Sequence, residues 1–277
     1  LSSSSAASDV YKRQIIGIGR RSLTNDDFRE QVKASIERYV TNTEHLEHFM
    51  EHVFYHEHDV NDEASYDELL EFSNDLNERF ELGGNRLFYL AMAPKFFGII
   101  SDYLKSSGLT QTDGFKRLVI EKPFGSDLAS AEELNNQIRR SFKEEEIYRI
   151  DHYLGKDMVQ NIEVLRFANA MFEPLWNNKY ISNIQVTSSE ILGVEDRGGY
   201  YESAGALKDM VQNHMLQMVA LLAMEPPISL KSEDIRAEKV KVLKSLRKLE
   251  PEEVSHNFVR GQYDLSLIHI SEPTRPE

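Results

Sequence analysis

Two short apolar runs that stop at prolines, "NRLFYLAMAP" (85–94) and "FKRLVIEKPFG" (115–125), constrain this chain more than anything else in it. Each has strand length, is rich in β-branched or aromatic residues, and ends where proline removes a ladder donor. They predict two buried strands. A third is predicted at Ile15–Ile18, which runs into the loop "GIGRRS". Elsewhere the spacing turns helical. Phe28, Val32, Ile36 and Val40 recur every fourth residue behind a Thr24–Asp27 capping box. Leu69, Phe72, Leu76 and Phe80 form a second stripe within 64–80, and Leu134, Ile138 and Phe142 a third, behind a Ser130–Glu133 cap. Strands alternating with helices at this spacing predict a parallel sheet with helices on its faces, the α/β class.

After Arg149 the pattern changes. A helix is expected around Met158, Ile162 and Leu165. "YISNIQVTSSEILG" (180–193) alternates strictly, with Ile184, Val186, Ser188 and Glu190 on one face, and predicts a half-buried strand. A long helix is expected from Ala204 to Met224, with Leu207, Val211, His214, Met218 and Leu222 on its apolar face. The expected division is a first domain over 15–149 and a second, α+β domain over 150–263. Residues 1–14 and 264–277 show neither amphipathic period nor caps. They read as translated sequencing-adapter sequence rather than as ordinary flexible termini, so the segment between them reads as an internal fragment.

Acidic residues outnumber basic ones 46 to 32, a net charge of −14. Phosphate backbones and acidic lipids repel such a surface, so no nucleic-acid partner and no membrane partner is expected. The chain has no cysteine, which excludes disulfides, thiolate catalysis and zinc–thiolate sites. A cytoplasmic enzyme fits these limits.

Four features could carry chemistry. Arg20 and Arg21 follow a strand at the place where a dinucleotide fold holds the adenosine ribose, and a guanidinium there can fork onto a 2′-phosphate. Alone, the pair is more simply two solvated arginines on a loop, and the usual glycine fingerprint is not in the sequence. Lys122, at the end of a strand and before Pro123, can point into the ligand crevice of an open α/β sheet or out to solvent. In "IYRIDHYLGKDMVQN" (147–161), His152, Tyr153 and Lys156 can each donate to an anion beside the flexible Gly155. Asp151, acceptor-only when ionised, suits an imidazole instead; the other reading is a solvated helix start. His214 is by itself an ordinary core histidine, yet a carboxylate holding its tautomer would make it a general base near neutral pH.

Taken in order, "GRRSLT", "EKPFG", "RIDHYLGKDMVQN" and "RGGYYESAGALKDMVQNHMLQMVALLAMEPP" resemble the glucose-6-phosphate dehydrogenase family over Ile15 to Tyr263. The last two stretches carry most of the likeness. The resemblance implies a truncated Rossmann-like dinucleotide-binding domain followed by part of an α+β domain with a large, mostly antiparallel sheet. It implies oxidation of glucose 6-phosphate at its anomeric carbon to the phosphogluconolactone, with NADP as cofactor and no metal, in a parent enzyme that is a homodimer or homotetramer. It implies His214 as base and Asp151 as its orienting carboxylate. His152, Tyr153 and Lys156 would hold the phosphate, and Glu190 and Asp209 the sugar hydroxyls. Lys122 would meet substrate beside the nicotinamide, Arg20 and Arg21 the 2′-phosphate, and Pro94 and Phe97 would lie along the cofactor's path. Pro123 matches a family proline that is often cis. The chain departs from the family in having Asp157 where Glu is usual. It also lacks the Gly-x-x-Gly-Asp-Leu turn before Ile15 and most of the second sheet, so this polypeptide is expected to be inactive alone. A sugar or inositol oxidoreductase with Glu-Lys-Pro, or a non-catalytic sugar-phosphate binder, are the rival readings; neither accounts for the whole cluster around Asp151 and His214.

Overall fold

The structure, a computed structural model, describes residues 13–39, 45–125, 127–189, 193–194, 198–259 and 261. Val40, Glu190 and nearly all of the two stretches read as adapter sequence lie outside the described residues. The chain divides into two compact units, which join in sequence at Ile150 and Asp151.

The first unit is α/β with parallel strands throughout. β1 (Ile15–Gly19) pairs with β2 (Val53–Glu57), from Ile15 against Val53 to Gly19 against Glu57. Helices α1 (Asn25–Ile36) and α2 (Leu46–Glu51) make the crossover between them. A second sheet has the order β3 (Arg86–Leu90), β4 (Lys116–Glu121), β5 (Ile147–Ile150). α3 (Ser65–Phe80) precedes β3, α4 (Phe97–Ser106) links β3 to β4, and α5 (Leu128–Arg139) links β4 to β5. Parallel neighbours need such crossovers because each strand must restart from the same end.

Burial explains the layout. β4 is central, and Leu118, Val119 and Ile120 are buried in succession, as a strand covered on both faces requires. Beneath it pack Tyr66 and Leu69 of α3, Phe97, Ile100 and Leu104 of α4, and Ile138 of α5. Phe28, Val32 and Ile36 close a smaller cluster with Leu46, Met50 and Val53. The strands β1 and β3 are less buried than their composition suggests. Leu87 and Tyr89 are 57% and 54% exposed, and Ile15 and Ile18 are also exposed. Among the described residues each of these strands has a ladder partner on one side only, so one face of each stays open.

Thr24 caps α1 as expected: the Asp27 backbone N–H donates to its Oγ1 at 3.1 Å while Asp27 accepts the Thr24 N–H. At α5 the expected cap shifts by three residues. Asp127, not Ser130, is the N-cap, with the Ser130 N–H on its Oδ1 at 2.8 Å and Ser130 Oγ accepting the Asp127 N–H at 3.0 Å. A carboxylate is the stronger acceptor and starts the helix earlier. The helix therefore ends at Arg139, and Phe142 reaches the core from beyond it. Gly125, at φ +108°, turns the chain after the cis Lys122–Pro123 bond, and a Cβ there would lie 2.6 Å from the Ala131 nitrogen.

The second unit is helical. α6 (Asp157–Phe167) follows a short 3-10 turn, His152–Gly155. Next come α7 (Gly198–Ala206), a π-helix over Leu207–Met215, α8 (Leu216–Ala223), α9 (Ser232–Ser245) and α10 (Pro251–Asn257). Val159, Met218, Leu221 and Met224 form its core. Two expectations are corrected. Residues 181–189 keep an alternation, with Val186 and Ser188 partly buried, but form no strand, because no described backbone runs alongside to complete a ladder. Among the described residues this unit has no sheet, so the large antiparallel sheet is not seen and every observed strand pair is parallel. The single long helix is also broken. Gly205, at φ +60°, kinks α7, and the π-geometry that follows leaves Leu207 49% exposed, since bonds spaced five residues apart do not preserve a 3.6-residue stripe.

The end of α8 is held by side chains. Buried Arg166 donates to the carbonyls of Leu221 (2.5 Å) and Met224 (2.7 Å), and the Trp176 indole N–H donates to Leu222 at 2.8 Å. Arg166→Met would leave two carbonyls unpaired and is expected to destabilise the unit by roughly 2–4 kcal/mol in urea unfolding.

Five histidines lie between His45 and His58. Burial lowers the pKa of His52, His56 and His58. A depressed folded-state value means that the neutral ring is favoured on folding, so this stability is present above the unfolded value of about 6.5 and drains away below it. The thermal midpoint of the chain is expected to fall between pH 7 and pH 5, with a flatter profile in a His56→Gln, His58→Gln double variant.

Candidate active site

The second unit builds its site from two stretches. Asp151 caps the 3-10 turn His152–Gly155, and its Oδ1 accepts the Tyr153 backbone N–H at 3.0 Å. The same oxygen lies 2.5 Å from His214 Nδ1. His214 is only 1% exposed, so the ring cannot swing away to solvent. A carboxylate accepts from an N–H, which puts the proton on Nδ1 and makes Nε2 the unprotonated nitrogen of the neutral ring. That is the arrangement of a positioned general base.

Neighbouring rings fix the imidazole further. Tyr153 stacks on it with centroids 4.0 Å apart and planes 13° apart, and His152 meets it edge-on at 4.9 Å. The Lys156 ammonium stands 3.6 Å above the other partner in this stack, the Tyr153 ring. His152 and Lys156 are exposed, while Tyr153 is buried with its hydroxyl 3.4 Å from Ser188 Oγ. An outer rim of two donors thus surrounds a buried base. Asp209, 4% exposed, precedes His214 by five residues in the π-helix, the spacing of that helix's own hydrogen bonds.

Asp151, His152 and His214 also bring ligand-type atoms within 4.8 Å of one another, a donor set of the kind a transition metal takes, where the sequence shows no metal-ligand cluster.

In the first unit, Arg20 and Arg21 are exposed just beyond β1 and line a cavity of about 450 Å3 with Leu23, Phe28, Gln31 and Tyr55. The Tyr55 hydroxyl donates to the Arg21 carbonyl at 2.6 Å and holds this loop. Lys122 sits at the end of β4, beside the cis proline that was an open expectation. Pro94 starts a short 3-10 turn that leads into α4. Phe97 begins α4 with its side chain 0% exposed inside the core cluster. Glu190 lies outside the described residues. Sequence reasoning missed the stacking role of Tyr153, for which an aromatic two residues after the capping Asp151 was the available signal.

Residues 8–161 match the family model described as glucose-6-phosphate dehydrogenase, NAD binding domain, and residues 163–274 match the model for the C-terminal domain of the same family. With the parallel α/β unit, the first match places this unit in the Rossmann-like class of domains. The chain belongs to the glucose-6-phosphate dehydrogenase family. It is 61% identical over 254 residues to the glucose-6-phosphate 1-dehydrogenase of Bacillus subtilis (strain 168), covering 92% of this chain and 52% of that protein. It is 49% identical over 249 residues to that of Leuconostoc mesenteroides, covering 90% and 51%. A solved glucose-6-phosphate dehydrogenase in complex with glucose-6-phosphate superposes with a TM-score of 0.79 at 38% identity, over 87% of this chain and 50% of that one. The chain spans about half the length of the curated relatives it matches.

The tautomer is testable in this chain alone. Nitrogen-15 spectra at pH 8 are expected to show His214 protonated at Nδ1 and bare at Nε2, and Asp151→Asn is expected to abolish that preference.

Proposed function

We propose that the protein to which this chain belongs oxidises D-glucose 6-phosphate to 6-phosphogluconolactone with reduction of NADP, in the cytoplasm, and that the second unit carries the base. The observation that carries this reading is the 2.5 Å bond between Asp151 and the Nδ1 of a fully buried His214. The names of the relatives, and the sugar phosphate bound by one solved neighbour, support it.

His214 Nε2 takes the proton of the anomeric hydroxyl, which makes that carbon a better hydride donor. Asp151 holds the ring and stabilises the imidazolium that forms. His152 and Lys156, the exposed rim, bind the phosphate, with Tyr153 beside them; the phosphate is remote from the reacting carbon and serves to align it. Asp209 and Glu190 take sugar hydroxyls, and Lys122 contacts the substrate near the nicotinamide.

Arg20 and Arg21, exposed at a strand's carboxyl end beside an open cavity, fit the 2′-phosphate of NADP by donor chemistry. When bound, the nicotinamide supplies the hydride acceptor. Pro94 belongs to the same surface in this reading. The full-length protein assembles as a homodimer or homotetramer.

In the full-length protein, His214→Asn is expected to cut kcat by about a hundred- to ten-thousandfold while glucose 6-phosphate still binds in calorimetry. Turnover persisting near the parent rate would remove His214 from the role of base.

A further inference from the structure

Asp151, His152 and His214 come from one 3-10 turn and one π-helix, and each brings a ligand-type atom within 4.8 Å of the other two. Among the described residues this is the one group of three histidines and carboxylates placed to share an ion. Two imidazoles and a carboxylate favour a zinc-type ion over magnesium or calcium, whose shells are built from oxygen. Zinc takes such ligands at about 2.0–2.2 Å, which sets tetrahedral donors about 3.3–3.5 Å apart. The set is wider than that by at most about 1.5 Å, and exposed His152 can close the difference by turning its side chain.

The other two ligands are held ready. Both described hydrogen bonds to the Asp151 carboxylate, from the Tyr153 N–H and from His214, use Oδ1, so Oδ2 remains for an ion. A neutral His214 keeps one nitrogen unprotonated, the form that a metal ligand requires. Tyr153, stacked on that ring at 4.0 Å, fixes its plane as outer supports do in metal sites. The net charge of −14 draws cations toward the chain, and Lys156, the like charge on the same rim, is exposed and can withdraw into solvent.

We propose that Asp151, His152 and His214 form an inhibitory zinc site. The ion occupies the unprotonated nitrogen that would accept a proton and takes His152 away from the anionic substrate, while water fills the fourth position. The inhibitory meaning rests on the reading of His214 as base; the binding of zinc does not.

The test is calorimetric titration of the 277-residue chain with zinc chloride, with cobalt(II) absorption as the report on an imidazole-containing shell. His152→Ala is expected to weaken zinc binding at least about tenfold, the loss that even an outer-shell partner carries, and Asp151→Asn to do the same. His256→Gln, on exposed α10, is expected to leave it at the parent value. Trp176 fluorescence reports whether each variant is folded, and His152→Ala, altered at an exposed position, keeps the test open if Asp151→Asn unfolds. In the full-length protein zinc is expected to suppress turnover of glucose 6-phosphate, with recovery on adding a chelator. Equal zinc affinity in folded His152→Ala and the parent, or turnover unaffected by bound zinc, overturns the proposal. Turnover retained by His214→Asn would instead sink the base assignment, while the zinc affinities of the 277-residue chain would stand by themselves.

Discussion

A buried imidazole can serve as a base only if one nitrogen is tied down and the other is left alone. Asp151 provides the tie, and three consecutive residues arrange the rest. The Tyr153 N–H anchors the carboxylate that holds His214, the Tyr153 ring covers the face of the imidazole, and His152 meets its edge. All of this follows from one local event, an aspartate capping a short 3-10 turn. The cap satisfies the turn's backbone donor and aims the second lone pair of the same oxygen at the base. Local structure and chemistry thus share a single atom.

The first unit contributes by a different principle. In a parallel sheet every strand delivers its carboxyl end to the same side: within the three-stranded sheet β4 and β5 run on to Lys122 and Asp151, and in the two-stranded sheet β1 runs on to Arg20. Residues placed just past such ends are set by the register of buried strands such as β4, whose three consecutive buried side chains permit no slip. The candidate ligand residues are therefore anchored by a core they do not belong to.

Much of this was legible in the chain itself, for physical reasons. Strand-length apolar runs ended by proline located β3 and β4, and four-residue stripes located α1 and α3, because periodicity reports directly on which face is buried. The pairing of Asp151 with His214 could be anticipated from chemistry, since an acid among phosphate donors needs another purpose. Other features were not readable. Nothing in Leu87 or Tyr89 says that their face lacks a covering layer, because exposure depends on neighbours distant in sequence. The full burial of Phe97 at the start of α4 depends on packing partners that the local sequence does not name. Asp127 displaced Ser130 as a cap through a choice between two good acceptors that composition leaves open. Residues 181–189 carry a strand's alternation with no ladder among the described residues to complete it, for sheet structure is made by pairs and sequence shows one member at a time.

The π-helix over Leu207–Met215 has a further consequence. A helix bonded at five-residue intervals is an ordinary one holding surplus chain, and that surplus sits in the segment bearing Asp209 and His214. Excising one residue there would let the coil return to its common pitch and absorb the loss locally, so the helix beyond could keep its facing while side chains inside the widened turns changed theirs. The aim of the imidazole therefore depends on how many residues this stretch contains as well as on which they are.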